Sequence, residues 1–393
     1  MAPRTGRRAR GGTRRGGSNL MSAPAVIVIG AGPAGLAAAA ALGRQGIPAT
    51  VLEQADSAAA SWLGRYDRLR LNTCRWTSQL PHSRYPARTA LFPSRDEVIS
   101  YLEDYAQRHA LEIRVRTRVE RIDRRDGGWQ LHTPAGPAAA RQVIVATGHD
   151  HTPHLPPWPG RECYAGRLLH AACYRTAHPF TGARVVVAGA GCSGLEIAHD
   201  LAEGGADRVW VAVRTQPNVM LRQSGGLPGD LPAIASLRLP TRLADYQARL
   251  VSRLTIGDLS PYGLTPPPDG IFTRLRRDGK APAIVDRQII HAIKTRRIQI
   301  TAGIASLGET GPVLTDGTRI DADAVIAATG YTPGLEPLVG HLGVLDQRGL
   351  PRVHGGKPAA PGLRFIGYLP RPGQIGHIGR EAQRAASAIR NET

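Results

Sequence analysis

The stretch Val26-Ile-Val-Ile-Gly-Ala-Gly-Pro-Ala-Gly35 decides how the chain folds. A continuous β-branched run leads straight into Gly30-x-Gly32-x-x-Gly35, and an alanine-rich segment, Leu36 to Leu42, follows at once. Such a pattern is a buried parallel strand, a tight turn and a helix N-terminus. Gly30 makes the turn, Gly32 lets the backbone approach a pyrophosphate, and Gly35 lets helix and strand pack closely. The free N–H groups and the positive end of the helix dipole then hold phosphate charge. Ala23 to Gly43 carries no charge, but its glycines, its proline and its strand-turn-helix order argue against a membrane span.

Working outward, a second strand, Ala49-Thr-Val-Leu52, ends in Glu53, 23 residues after Gly30. A carboxylate there can accept both hydroxyls of an unphosphorylated ribose, which points to FAD or NAD and disfavours NADP. The same plan recurs in Arg184-Val-Val-Val-Ala188, Gly189-Ala-Gly191-Cys-Ser-Gly194 and the helix Leu195 to Leu201. This time the following strand, Val209 to Val213, ends in Arg214-Thr215. A guanidinium there matches a 2′-phosphate that a carboxylate would repel. The two turns therefore divide the cofactors, FAD on the first and NADPH on the second.

The rest of the chain frames these turns. Its 393 residues suffice for two domains with a sizeable core. Four scattered cysteines with no CxxC and no secretory signal suit a reducing cytoplasm. The formal charge is +19, of which Met1 to Leu20 supplies six arginines and no acid, leaving +13. That Arg/Gly-rich tail lacks apolar periodicity and is expected to be disordered. With no aromatic side chain interleaved for base stacking, nucleic-acid binding is disfavoured, and the basic body is matched to anionic cofactors.

Arg65 to Leu80 has neither helical nor strand periodicity and reads as a loop-rich cover. Ser94 with Glu97 forms a capping box opening a helix to about His109, with Val98, Leu102 and Tyr105 in the core. Ile113, Val115, Thr117 and Val119 alternate as a strand, and Trp129 and Leu131 continue the sheet after the turn at Asp126-Gly-Gly128. Val143 to Ala146 is a buried strand ending in Thr147-Gly148, and the stretch from His149 to Gly160 reads as a proline-rich domain boundary. Its three histidines lack the cysteines or acids that would complete a metal site, so none is expected. Helical patches at Leu243 to Leu254 and Ile289 to Ile293 follow. Asp323 to Tyr331 repeats the strand-Thr-Gly pattern, from which a return to the first domain is expected. A strand from Leu363 and a last helix from Arg380 to Arg390 close the chain.

Taken together these residues resemble the class B flavin-containing monooxygenases, and within them the YUCCA-like branch. The resemblance runs from about residue 25 to the C-terminus. It rests on the two glycine turns, on Tyr164-x-Gly166-x-x-x-His170-x-x-x-Tyr174, on Ala328-Thr329-Gly330-Tyr331 and on Gly257-Asp258-Leu-Ser-Pro-Tyr262-Gly263-Leu264. It implies an α/β fold of two Rossmann-like dinucleotide-binding domains, the NADPH domain inserted into the FAD domain. The expected divisions are a tail at 1–20, FAD domain at 21–160, NADPH domain at 161–320 and the rest of the FAD domain at 321–393. It also implies a reaction: NADPH reduces FAD, O2 adds at flavin C4a, and bound NADP+ shelters the (hydro)peroxyflavin until a small substrate takes one oxygen atom. Such chemistry needs a dry pocket.

On this footing Asn72 is the catalytic residue, its amide bonding near flavin N5/C4a. The resemblance places Trp62 on FAD and Ser193 and Gly194 on NADP. The full cofactor-contacting set comprises Gly30, Gly32, Pro33, Ala34, Gly35, Glu53, Gln54, Trp62 and Leu71, then Gly189, Gly191, Ser193, Gly194 and Arg214, with Thr329 and Gly330. His170 is open between an inter-domain relay and a structural histidine. Tyr174-Arg175 stands where Baeyer–Villiger members carry Trp-Pro or Trp-Asp, which disfavours ketone-to-ester chemistry. The substrate is left between a 2-oxo acid undergoing oxidative decarboxylation and an amine or thioether. The partners expected are that small molecule and O2, with no membrane, a homodimer being allowed. The alternative is a flavoprotein reductase without oxygenation, which normally needs a CxxC beside the flavin; a third reading is a non-catalytic nucleotide sensor.

Overall fold

The computed structural model describes residues 25–392; the arginine-rich tail lies outside them. Among the described residues two largely parallel sheets organise the chain, the edge strand Pro358–Ala360 of the first pairing antiparallel with Leu363–Phe365. The first runs, edge to edge, Pro358–Ala360, Leu363–Phe365, Gln142–Val145, Val26–Ile29, Ala49–Leu52 and Glu112–Arg114. The second runs Gln299–Ala302, Arg208–Val213, Arg184–Ala188, Ala324–Ala327 and Arg167–His170. In both, the strand feeding the glycine turn lies between the next strand of its own βαβ unit and a strand from about a hundred or more residues later, so the sheet order reverses beside it. Ligands of open parallel sheets bind at that reversal, outside the carboxyl ends of the strands.

Why the segments fold this way is largely local. Val26 to Ile29 and Val185 to Val187 are 5 % exposed or less, as a run apolar on both faces requires. Helix Arg95–Arg108 opens on the expected capping box: Ser94 Oγ accepts from the Glu97 N–H while the Glu97 carboxylate accepts from the Ser94 N–H. Helix Pro33–Arg44 lies against the long last helix, Gln374–Glu392, through small residues on both sides, including Ala34, Ala38, Ala382 and Ala385.

Three expectations need correction. Ala324–Ala327 does not return to the first sheet; it pairs in parallel with Arg184–Ala188 and with Arg167–His170. The expected boundary at 320/321 therefore moves to about residue 330. The two strand-Thr-Gly repeats are equivalent in role instead: Ala146 O closes over Gly30 and Ala328 O closes over Gly189. Second, the strand expected over Ile113 to Val119 stops at Arg114. Arg116 takes a positive φ of 52°, and the Arg116 and Thr117 N–H groups bond back to Ala55 O and Glu53 O. The alternating pattern belongs to a segment that leaves the sheet to brace the loop after Glu53. Third, the last helix begins at Gln374, six residues before Arg380.

The link between the domains is a two-stranded crossing. Thr152–Pro153, on the way out, pairs antiparallel with Tyr331–Thr332, on the way back. The sequence signature around residue 170 clamps this crossing. The Tyr164 hydroxyl donates to Ala322 O at 2.8 Å, and a Cβ on Gly166 would strike the Tyr164 ring at 2.4 Å. His170 Nε2 meets Gly330 O at 3.0 Å while its Nδ1 accepts from the Ala172 N–H at 3.0 Å. With Nδ1 accepting, Nε2 carries the proton, so the ring is neutral and both nitrogens are used structurally. Burial lowers the His170 pKa accordingly. The Tyr174 hydroxyl, fully buried, donates to Asp200 Oδ2 at 2.7 Å.

Candidate active site

Between the carboxyl ends of the two sheets lies a cavity of about 1060 Å³, at the upper edge of the ~300–1,000 Å³ of common small-molecule sites. Gly30, Gly32, Pro33 and Ala34 reach it from the first turn, and Glu53 and Gln54 from the end of the second strand. Trp62 reaches it from the short helix Ala60–Leu63, and Leu71 and Asn72 from the loop-rich cover, which does lie over the site. From the second turn only Cys192, Ser193 and Glu196 line it.

The two turns fit a dinucleotide. A Cβ on Gly35 would fall 1.8 Å from Gly30 O, and one on Gly194 would fall 1.9 Å from Gly189 O, so each third glycine is dictated by backbone contact. Gly32 and Gly191 differ: a Cβ on either would meet nothing within 4 Å. Both cap their helices without any side-chain hydrogen bond, which leaves helix N–H groups for an outside acceptor. Nothing in the protein chain itself requires glycine at those two positions; the close approach of a phosphate would.

Glu53 is half-buried and anchored, its Oε2 accepting from Ala31 N–H at 2.7 Å and its Oε1 from Ala55 N–H at 2.9 Å. The carboxylate is thus held at the lip of the turn with lone pairs to spare. Arg214 stands exposed at the end of Arg208–Val213, its side chain without an acceptor among the described residues. Gly35, Gly189, Gly191, Gly194, Arg214, Thr329 and Gly330 do not line this cavity. Thr329 and Gly330 serve the crossing instead: the Thr329 hydroxyl donates to His154 O, and Gly330 O accepts from the His154 N–H at 3.0 Å.

Much of the lining is apolar: Met220, Ile271, Phe272, Leu275, Ile375 and Ile378 contribute to it, together with the charged Arg371 and Asp230. Strand Val219–Leu221, helix Ile271–Asp278 and the start of the last helix bring the apolar residues together.

Behind Asn72 stands a group that no motif announced. Arg222, its side chain 4 % exposed, donates to Glu196 and, at 2.7 Å, to Asp286 Oδ2. Its Nη2 also reaches Asn72 Oδ1 at 3.3 Å. The Tyr66 hydroxyl donates to Glu196 Oε2. Burial raises the Glu196 pKa against the lowering effect of Arg222, and burial beside Glu196 pushes the Tyr66 phenol well up. A buried arginine after an ordinary apolar triplet, Val219-Met-Leu, carries no signal in the sequence.

All four cysteines are free; Cys74 is buried and Cys192, beside the second turn, is pushed up to about 11 by burial. No thiol pair faces the cavity. Among the described residues no group of three or more His, Cys, Asp or Glu is arranged for a metal, and no helix is long and apolar enough to cross a membrane.

Two glycine turns at two sheet reversals, opening on one cavity, define a pyridine-nucleotide-dependent flavoprotein oxidoreductase. The sequence pattern of the family described as pyridine nucleotide-disulphide oxidoreductase matches residues 27–222. An indole-3-pyruvate monooxygenase, YUCCA1 of Oryza sativa subsp. japonica, is 35 % identical over 313 residues, 78 % of this chain and 77 % of that protein. YUCCA8 of Oryza sativa subsp. indica, of the same description, is 34 % identical over 382 residues, 92 % and 90 % of the two chains. A flavin-containing monooxygenase from Stenotrophomonas maltophilia is similar in structure, with a TM-score of 0.72 at 25 % identity over 93 % of this chain and 98 % of that one. The chain belongs to the YUCCA-like flavin-containing monooxygenases, and it is an FAD- and NADPH-dependent monooxygenase. The reductase alternative gains no support over this.

Proposed function

We propose that this monooxygenase oxidatively decarboxylates a 2-oxo acid with a flat apolar side chain, an aryl pyruvate. The balanced reaction consumes the 2-oxo acid, O2, NADPH and a proton, and releases the acid one carbon shorter, CO2, NADP+ and water. The observation that carries it is the apolar part of the cavity lining, with Phe272, Leu275 and Ile375 for a ring and Arg371 for a carboxylate, in the same cavity that Asn72 lines. The indole-3-pyruvate monooxygenases at 34–35 % identity support the same substrate class.

When bound, FAD and NADPH supply the reducing equivalents and the activation of O2. The chain's own residues supply the rest. The turn at Gly32 and the Glu53 carboxylate hold the FAD phosphates and ribose. The turn at Gly191, Ser193 and Arg214 hold NADPH, the arginine on the 2′-phosphate. Asn72 donates from its amide into the reacting region, and the apolar wall excludes water. The compartment is the cytoplasm, which four free thiols suit, and the assembly put forward for test is a homodimer.

The test is direct. Purified holoenzyme is given NADPH and either indole-3-pyruvate, an arylalkyl amine or a thioether, under 18O2. The proposal expects indole-3-acetate carrying one 18O, with NADPH consumed in equal amount. Oxygen appearing on nitrogen or sulfur, with none in the acid, would overturn it.

A further inference from the structure

We propose that Arg222 is a positioning residue for the oxygenation reaction, acting by fixing which edge of the Asn72 amide faces the cavity. The inference rests on the monooxygenase reading of Asn72 and deepens it.

An asparagine amide has one accepting edge and one donating edge, and elsewhere in a protein the two exchange readily by a flip. Here they cannot. The guanidinium of Arg222 has donors and no acceptor, so the edge turned toward it must be Oδ1, as observed at 3.3 Å. Asn72 lines the cavity and Arg222 does not. The amide carbonyl is therefore spoken for behind the wall, and Nδ2, which finds no acceptor among the described residues, is left to donate forward.

The arginine itself has little freedom. It is almost fully buried, and its two terminal nitrogens are held by Glu196 of helix Cys192–Glu203 and by Asp286, just before helix Arg287–Lys294. Its guanidinium lies 6.0 Å from the Phe92 ring. Glu196 is held in turn by Tyr66, six residues before Asn72 in the cover loop. The groups that face the guanidinium thus come from both domains and from the cover. A buried cation held by two carboxylates keeps its place. What Asn72 presents to the cavity is a donor only. It will bind an oxygen acceptor such as a ribose hydroxyl, a phosphate oxygen or an oxygen atom in transit, and it will not hold a second donor.

The experiment needs no turnover. Oxidised holoenzyme is titrated with NADP+, read by the perturbation of the flavin absorption band, for wild type, N72A, R222K, R222Q and the double variant N72A/R222Q. FAD content and melting temperature check that each variant is folded, and R222K guards against a fold that tolerates no neutral residue. The proposal expects N72A and R222Q each to weaken NADP+ binding about tenfold, R222K to keep most of it, and the double variant to be no worse than N72A alone, because Arg222 acts through Asn72. Additive losses, equal damage from R222K and R222Q, or no effect of N72A would overturn it. Oxygen-dependent NADPH oxidation, measured on the wild type, fails separately if the monooxygenase reading is at fault.

Discussion

At the scale of single residues, the glycines of the two turns look alike in sequence and do different work. Gly35 is demanded by the protein's own backbone, since a methyl group there would fall 1.8 Å from Gly30 O. At Gly32 the protein sets no such demand, since a methyl group there meets nothing, which leaves the demand to a bound phosphate. Gly35→Ala is expected to destabilise the apoprotein by about 1–3 kcal/mol or more, seen as a lowered denaturation midpoint. Gly32→Ala is expected to leave that midpoint unchanged while weakening FAD binding at least about tenfold, measured by flavin retention on dilution. A loss of apoprotein stability in Gly32→Ala would sink the distinction. At the second turn, Arg214→Ala is expected to raise KM for NADPH roughly 10- to 100-fold, with kcat and the KM for NADH little changed. Equal losses for both nucleotides would remove Arg214 from the 2′-phosphate.

At the scale of elements, legibility tracked locality. Both turns could be read because strand, turn and helix are contiguous, and the capping box because Ser94 and Glu97 sit three residues apart. Ser94→Ala tests that reading; it is expected to cost about 1 kcal/mol of stability by denaturant titration, with FAD content unaltered. What could not be read was pairing across long separations. The run Ala324–Ala327 looks like Val143 to Ala146 because each must close over a nucleotide turn, and nothing in its four residues says which turn. The segment Val115 to Val119 alternates like a strand yet is peeled from the sheet by hydrogen bonds to Ala55 and Glu53, partners some sixty residues earlier. Arg222 was invisible for the same reason. Its partners Asn72, Glu196 and Asp286 are 150, 26 and 64 residues away. The glycine fingerprint pointed to the cofactor turns, whereas the apolar lining emerged only once Met220, Phe272 and Ile375 were placed around one space.

At the scale of the whole molecule, the two domains are joined by the crossing at Thr152–Pro153 and Tyr331–Thr332, and His170 ties it as a neutral ring. Its folded pKa lies below the ordinary value of 6.5 because burial disfavours the cation. The unfolded chain therefore binds this proton more readily than the folded one. The stabilisation is complete above the unfolded pKa and is lost as pH falls through 6.5 toward the lower folded value. Between about pH 7.5 and 5.5 the wild type is expected to lose more stability than His170→Gln, whose amide keeps hydrogen-bonding capacity without titrating. Parallel pH profiles of the melting temperature would contradict that assignment.

The central claim for the molecule is that one cavity gathers FAD, NADPH and a small substrate so that O2 is activated and kept from water. The most direct measurement mixes NADPH-reduced holoenzyme rapidly with oxygenated buffer and follows the flavin spectrum. The account predicts a species distinct from both reduced and oxidised flavin, living longer with NADP+ bound and decaying faster when an aryl 2-oxo acid is added. Direct return from reduced to oxidised flavin, with hydrogen peroxide released in equal amount whether or not NADP+ and substrate are present, would contradict it.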